Sequence, residues 1–348
     1  MLRLFPFLLL ALSSFGADGV TAGAIRWDAW SGGPITREVE RTLSPEAHRR
    51  RLPWFAQLDD KGAVRLNGAA EGVMEQEIAY ARRAGLDYWA FLTYPEESEM
   101  SGALLRYLGS PKRGEIGFCL ILHQSLGVPE GRWPRELSRL TGLIGEKGYQ
   151  KIGGRPLLFV FESDDLGAPA AARLEQLRQK VAERGHAPYV VHMGWNPAND
   201  FTERRGRGFD AVSAYAEPSA EPDYGRYVAK LEARAWQGAK KAGAPYVPLV
   251  STGWDKRPRQ DHPVSWEKNP EYATQKTFPA APTPEELAAH LSRALDFVRN
   301  NPETCPARTV IIYAWNEHDE GGWLCPTWTS SGRPDTSRIE AVAKALGR

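Results

Sequence analysis

Apolar residues gather in eight short runs along the chain, at 24–30, 87–94, 116–122, 156–162, 189–193, 209–215, 246–252 and 309–316. Each run is rich in β-branched and aromatic residues and reads as a strand. Between most of them the apolar spacing changes to three or four: Leu137, Leu140 and Ile144; Leu174, Leu177 and Val181; Leu287, Leu291, Leu295 and Val298. That spacing lines up one face of a helix. The last of these helices has a start signal in Thr283-Pro284-Glu285-Glu286, where Thr283 caps, Pro284 fits the first turn and Glu286 returns the bond. An earlier helix ending at Arg83 is stopped by Gly85. Repeated switching between the two periods predicts an α/β chain, a (β/α)8 TIM barrel forming a single domain. A doubly wound sheet is the weaker reading, because no G-x-G-x-x-G follows an early strand. Two longer segments, 31–70 and 253–282, are rich in Pro, Gly and charge. They are the long βα loops after strands 1 and 7, so both are expected on the barrel's C-terminal face.

The first 22 residues break this pattern. Met1-Leu2-Arg3, an apolar run over 4–12 and then small residues form a secretory signal, with cleavage after Gly16 or Ala22. The barrel domain is therefore expected over 23–348, in an exported protein, periplasmic or secreted. About 20 apolar residues are needed to cross a bilayer, and no other stretch qualifies, so no stable membrane insertion is expected once the signal is removed. Lys and Arg number 44 against 43 Asp and Glu. That balance gives no field to attract a polyanion, which argues against nucleic acid as a partner. The three cysteines match no metal-ligand spacing. Cys119 sits in an apolar run, and Cys305 and Cys325 flank the last strand, where an oxidising compartment is expected to join them in a disulfide.

In a barrel of this kind the chemistry lies where strands end. The strand ends here carry Trp27, Asp28 and Trp30; Tyr94; His123; His192 and Trp195; Tyr215 and Glu217; Trp254, Asp255 and Arg257; and Trp315, Asn316, Glu317 and Glu320. Sugars present apolar C–H faces rimmed by hydroxyls, so Trp and Tyr interleaved with carboxylates, amides and Arg suit a glycan, an oligosaccharide or polysaccharide. His123, His192 and His318 follow three strands, but the first strand offers no His-x-His. Hydrogen bonding to sugar hydroxyls is expected of them, with no metal and no cofactor. Asp255 and Arg257 read equally as a pair that holds its own loop. Glu162-Ser163-Asp164-Asp165 opens a helix, where acidic residues cap.

The strongest signal closes the eighth strand: Trp315-Asn316-Glu317-His318-Asp319-Glu320-Gly321. Its two glutamates, three apart in a Gly-ended turn, can aim both carboxylates into one cleft as an acid and a base or nucleophile. This segment resembles the Trp-Asn-Glu-x-x-Glu-Gly end of the last strand in the superfamily of glycoside hydrolase family 99 endo-α-mannosidases and WbsX-like glycan-processing proteins. Gly253-Trp254-Asp255-Lys256-Arg257-Pro258-Arg259 is similar to the Gly-Trp-Asp-x-x-Pro-Arg loop of WbsX-like proteins, with Pro and Arg one position late. A third likeness runs from Glu75 through Ala84-Gly85-Leu86-Asp87-Tyr88-Trp89 to Tyr94.

The resemblance implies cleavage of an α-linked glycan, α-mannan-like or another polysaccharide, with retention. One carboxylate deprotonates the sugar's 2-hydroxyl while the other acts as acid and then base. By position it gives Glu317 the first role and Glu320 the second. A WbsX-like glycosyltransferase and a non-catalytic glycan-binding barrel are the alternatives.

Overall fold

A computed structural model describes residues 19–161, 169–185, 187–204 and 208–348. Eight parallel strands form the barrel: β1 (Thr21–Arg26), β2 (Tyr88–Thr93), β3 (Gly117–Leu122), β4 (Arg155–Phe161), β5 (Tyr189–Gly194), β6 (Ala211–Ala214), β7 (Leu249–Ser251) and β8 (Thr309–Tyr313). Each pairs with its sequence neighbour from β1 to β6, β7 pairs with β8, and β8 pairs with β1. The ring closes between β6 and the residues just before β7 through a bridge from Val212 to Tyr246. The strands are near-continuous apolar runs because helices cover one face and the barrel core fills the other. The helix Val73–Arg83 buries Val73, Met74, Glu77, Ile78 and Ala81, and Gly85 follows its end at φ +75°. The helix Pro284–Asn300 begins with the reciprocal Thr283–Glu286 capping box expected of it.

Two expectations need correction. β1 starts at Thr21, which pairs with Thr309, and the N–H of Ala22 donates to Asp87 Oδ2 at 2.7 Å. The strand therefore takes in two residues assigned to the leader and stops before Trp27. Trp27 to Trp30 extended the apolar run because their loop is itself buried. The disulfide does not form: all three cysteines are free thiols, and all are buried. Cys305 lies before β8, while Cys325 lies beyond it, with Sγ 4.0 Å from Glu77. The five residues of β8, at about 3.3 Å each, hold them apart. The long insertion after β7 carries two short helices, Arg257–Asp261 and Pro270–Thr274.

The insertion after β1 carries the helix Gly33–Leu43, a 3-10 turn over Glu46–Arg51 and a small hairpin, Gln57–Leu58 with Val64–Arg65. The two insertions grip each other. His48 Nε2 meets Asp261 Oδ2 at 2.6 Å, Arg41 donates to Pro263 O at 2.8 Å, and Ser265 donates to Glu38 through N–H and hydroxyl at 2.6 and 2.7 Å. Leu4 to Leu12 and Glu162 to Asp165 lie outside the described residues. Among the described residues no helix is long and apolar enough to cross a membrane.

Candidate active site

Past β8 the chain makes a tight hairpin, Asn316–Glu317 against Gly322–Trp323, with a 3-10 turn over His318–Glu320 between them. The turn depends on Gly321 at φ +83°, where a Cβ would lie 2.5 Å from the backbone nitrogen of Asp255. The Asp255 N–H donates to the carbonyl of Glu320 at 2.5 Å, so the loops after β7 and β8 are fitted backbone to backbone.

This fit brings Glu317 and Glu320 into one buried cluster. Glu317 Oε1 accepts a hydrogen bond from Tyr215 at 2.7 Å, and its other oxygen lies 3.9 Å from Arg259. Glu320 accepts from Tyr313 and Arg259, and Lys256 Nζ is 3.3 Å away. Arg259 also holds Asp319 through two bonds at 2.8 and 3.1 Å. The two glutamates are pushed in opposite directions. Burial, and then the charge of Glu320, raises Glu317 well above the carboxylate range. Burial also works against Glu320, but Arg259 and Lys256 overcome it and hold that carboxyl below its usual range. Two carboxyls this close titrate as a pair, so their protons belong to the pair and by themselves assign a role to neither glutamate.

Aromatic side chains surround the pair. Trp27 donates to the Tyr94 hydroxyl at 2.9 Å and meets Trp266 edge-on at 5.5 Å, and Arg259 packs over both tryptophans at 5.6 and 5.3 Å. Tyr215 stacks on Phe161 at 4.7 Å, and Phe161 meets Trp195 and His123 at 5.7 and 5.3 Å. Trp195 is 43% exposed. Arg234 ties this side together, binding Glu217 at 2.9 Å and the carbonyl of Trp195 at 2.8 Å.

Other residues expected at the site hold the scaffold instead. Trp254 is only 1% exposed and packs between Tyr313, Tyr272 and Lys256, which makes it a buried support, not an open platform. Trp315 donates to Glu77 at 2.9 Å, inside the buried pair that Glu77 makes with Arg26 at 2.7 and 2.8 Å. Asn316 grips the backbone of Trp27, whose N–H donates to Asn316 Oδ1 at 2.9 Å. Asp28 accepts from Ser31 and from the N–H of Ala103, in the first turn of the helix Gly102–Gly109. Trp30 packs against Phe55 and His318. His192 is buried against Phe209 and lies 3.9 Å from Asp200. His318 contacts the carbonyl of Arg51 and is pushed down to about 3 by burial. Asp255 is held below the usual range, against burial, by Arg257 and Arg51. Its partner Arg257 thus serves the loop.

Sequence reasoning missed Arg259, Lys256 and Arg51. The signal was present: three cations in or facing a loop dense in Trp and acidic residues, where buried charges need partners. Among the described residues no group of three His, Cys, Asp or Glu is arranged to hold a metal ion.

The fold and this cluster define a (β/α)8 barrel with a buried carboxylate pair at its C-terminal face. Residues 120–332 match the family described as glycosyltransferase WbsX, and the chain belongs to that family. No curated protein sequence matches it. Among solved structures it is similar to a family 99 endo-α-mannosidase from Bacteroides thetaiotaomicron in complex with bis-tris-propane. The TM-score is 0.57 and the identity 13%, over 94% of this chain and 96% of that one. A second structure of an endo-α-mannosidase of that family and organism gives a TM-score of 0.56 at 12% identity, with the same coverage. These two likenesses establish the barrel fold.

Proposed function

We propose that this protein is a retaining glycoside hydrolase that acts on an α-linked glycan after export, with Glu317 and Glu320 as its catalytic pair. One observation carries the reading: two glutamates, three apart in the turn beyond β8, are gathered in one buried cluster beside an aromatic wall. A general acid must hold its proton before the bond breaks, and a base must already be charged. By position in the motif Glu317 is the base toward the 2-hydroxyl, and Glu320 is the acid and then the base.

In the first step Glu317 takes the proton of the 2-hydroxyl as that oxygen bonds to the anomeric carbon. The glycosidic C–O bond breaks, and its electron pair leaves on the departing oxygen, which receives the proton of Glu320. Water then adds at the anomeric carbon as the bond from the 2-oxygen breaks; water gives a proton to Glu320, and the 2-oxygen recovers its own from Glu317. Two inversions give retention. Trp195, Tyr215, Trp27 and Tyr94 supply stacking surfaces and hydroxyls for the sugars, and Glu217 and His123 supply polar contacts at the rim.

Incubation with α-mannans, α-glucans and bacterial polysaccharides should release new reducing ends. On the active substrate Glu320→Gln should keep partial activity where the leaving group is good, and Glu317→Gln should lose turnover on every substrate. Each loss on the natural glycan should be at least about 10²-fold. The reverse pattern would exchange the two roles. The family's description favours a second reading, transfer of the glycosyl group to a saccharide instead of water. Longer glycans formed in the presence of a saccharide acceptor would establish it.

A further inference from the structure

A cavity of about 230 Å³ opens behind the hairpin that carries Glu317, lined by Arg50, Arg338, Trp323, Thr327, Ser337 and Asp335. It lies where the end of the loop after β7, the loop after β8 and the start of the helix Ser337–Ala345 converge. The loops after strands 7 and 8, with a nearby helix start, are where barrels of this architecture commonly seat a phosphate.

Its cations are unusual for this molecule. Most of the buried or half-buried arginines meet a carboxylate: Arg26 meets Glu77, Arg51 meets Asp255, Arg259 meets Asp319, Arg139 meets Glu136. Arg338 instead donates to the carbonyls of Trp323 at 2.8 Å, Thr252 at 3.3 Å and Pro282 at 3.5 Å, and lies 3.8 Å over the Trp323 ring. Among the described residues neither Arg338 nor Arg50 has a carboxylate within ion-pair distance. The one acidic group in the lining, Asp335, accepts the N–H of Ser337 at 2.9 Å. Burial pulls the Arg338 guanidinium down to about 10, against the opposing pull of Tyr224 and Asp335 and with Arg51 and Arg50 adding to it.

We infer that this cavity binds an oxyanion: a phosphate, sulfate or carboxylate, free or carried on one sugar ring. Arg338 and Arg50 supply the charge, and Thr327 and Ser337 supply hydroxyl donors. The volume is below the roughly 300–1,000 Å³ of pockets that enclose larger ligands, so a single charged unit fits and an oligosaccharide does not. Trp323 belongs to the hairpin that carries Glu317, and it stacks with His318 at 5.8 Å. An occupant therefore bears on the back of the catalytic turn.

Calorimetric titration of the full chain with inorganic phosphate, sulfate, glucose 6-phosphate, galacturonate and neutral galactose tests this without any turnover, and so independently of the hydrolase reading. The expected result is binding of an oxyanion with a dissociation constant of about 1 mM or lower, and no binding of galactose at this site. Phosphate or sulfate without the charged sugars identifies a free anion, and binding of the charged sugars identifies a saccharide; either supports the site. Arg50→Gln, at an exposed position, and Arg338→Lys, which keeps the charge, should each weaken binding at least about tenfold with the fold intact by melting temperature. Failure of every oxyanion to bind, or affinities unchanged in both variants, would overturn the inference.

Discussion

Lys256 and Arg259 reach Glu320 from the same loop, and they keep that carboxyl charged in a place where burial alone would neutralise it. Lys256→Met removes one of the two cations, so the Glu320 carboxyl rises and the limb of the kcat/KM profile that it sets should move to higher pH. Lys256→Arg should leave it near its original position. The tryptophans separate in the same manner. Trp195→Ala should weaken glycan binding and leave the melting temperature within a few degrees. Trp254→Ala should cost roughly 3–5 kcal/mol in a denaturant titration, as for a large buried aromatic side chain. At this scale the sequence showed which residue types gather at the strand ends but not where each side chain points. Trp27 and Trp315, or Glu317 and Asp28, look alike in sequence. Whether each faces the cleft or the scaffold depends on backbone angles past the strand ends, which no period fixes.

All eight strands were legible because parallel strands buried on both faces leave long apolar runs, and the helices between them because their apolar stripes repeat at a different period. The misplaced element was β1, where a buried loop continued the same composition beyond the strand. The hairpin after β8 was legible as a motif, whereas its dependence on the loop after β7 was not, since that contact joins residues some 60 apart in the chain. Gly321 is where the two meet. Gly321→Ala places a methyl group against the backbone of Asp255 at a positive φ, which costs about 1–2 kcal/mol from the backbone alone. The variant should melt lower and lose turnover out of proportion to its stability, because the displaced turn carries Glu320. Calorimetry and activity measured on the folded fraction would check both effects.

Across the whole molecule, the barrel begins at Thr21, and its first two strand residues pair with Thr309 and Val310. Cleavage after Ala22 would strip them from β1, whereas cleavage after Gly16 leaves the sheet whole. On the export proposed above, N-terminal sequencing of the processed chain should therefore start at Ala17, and a start at Gly23 would contradict this. The two insertions, separate in sequence, are held by Arg51 on the carbonyl and carboxylate of Asp255, by His48 on Asp261 and by Glu38 on Ser265. Removing either partner of the buried Arg51–Asp255 contact strands a charge. For anyone wishing to re-tailor what this barrel accepts, the interchangeable part is consequently the pair of crowning segments. Transplanted singly from a relative, either would arrive with its grip on the other missing, so a chimaera must exchange both in one cassette.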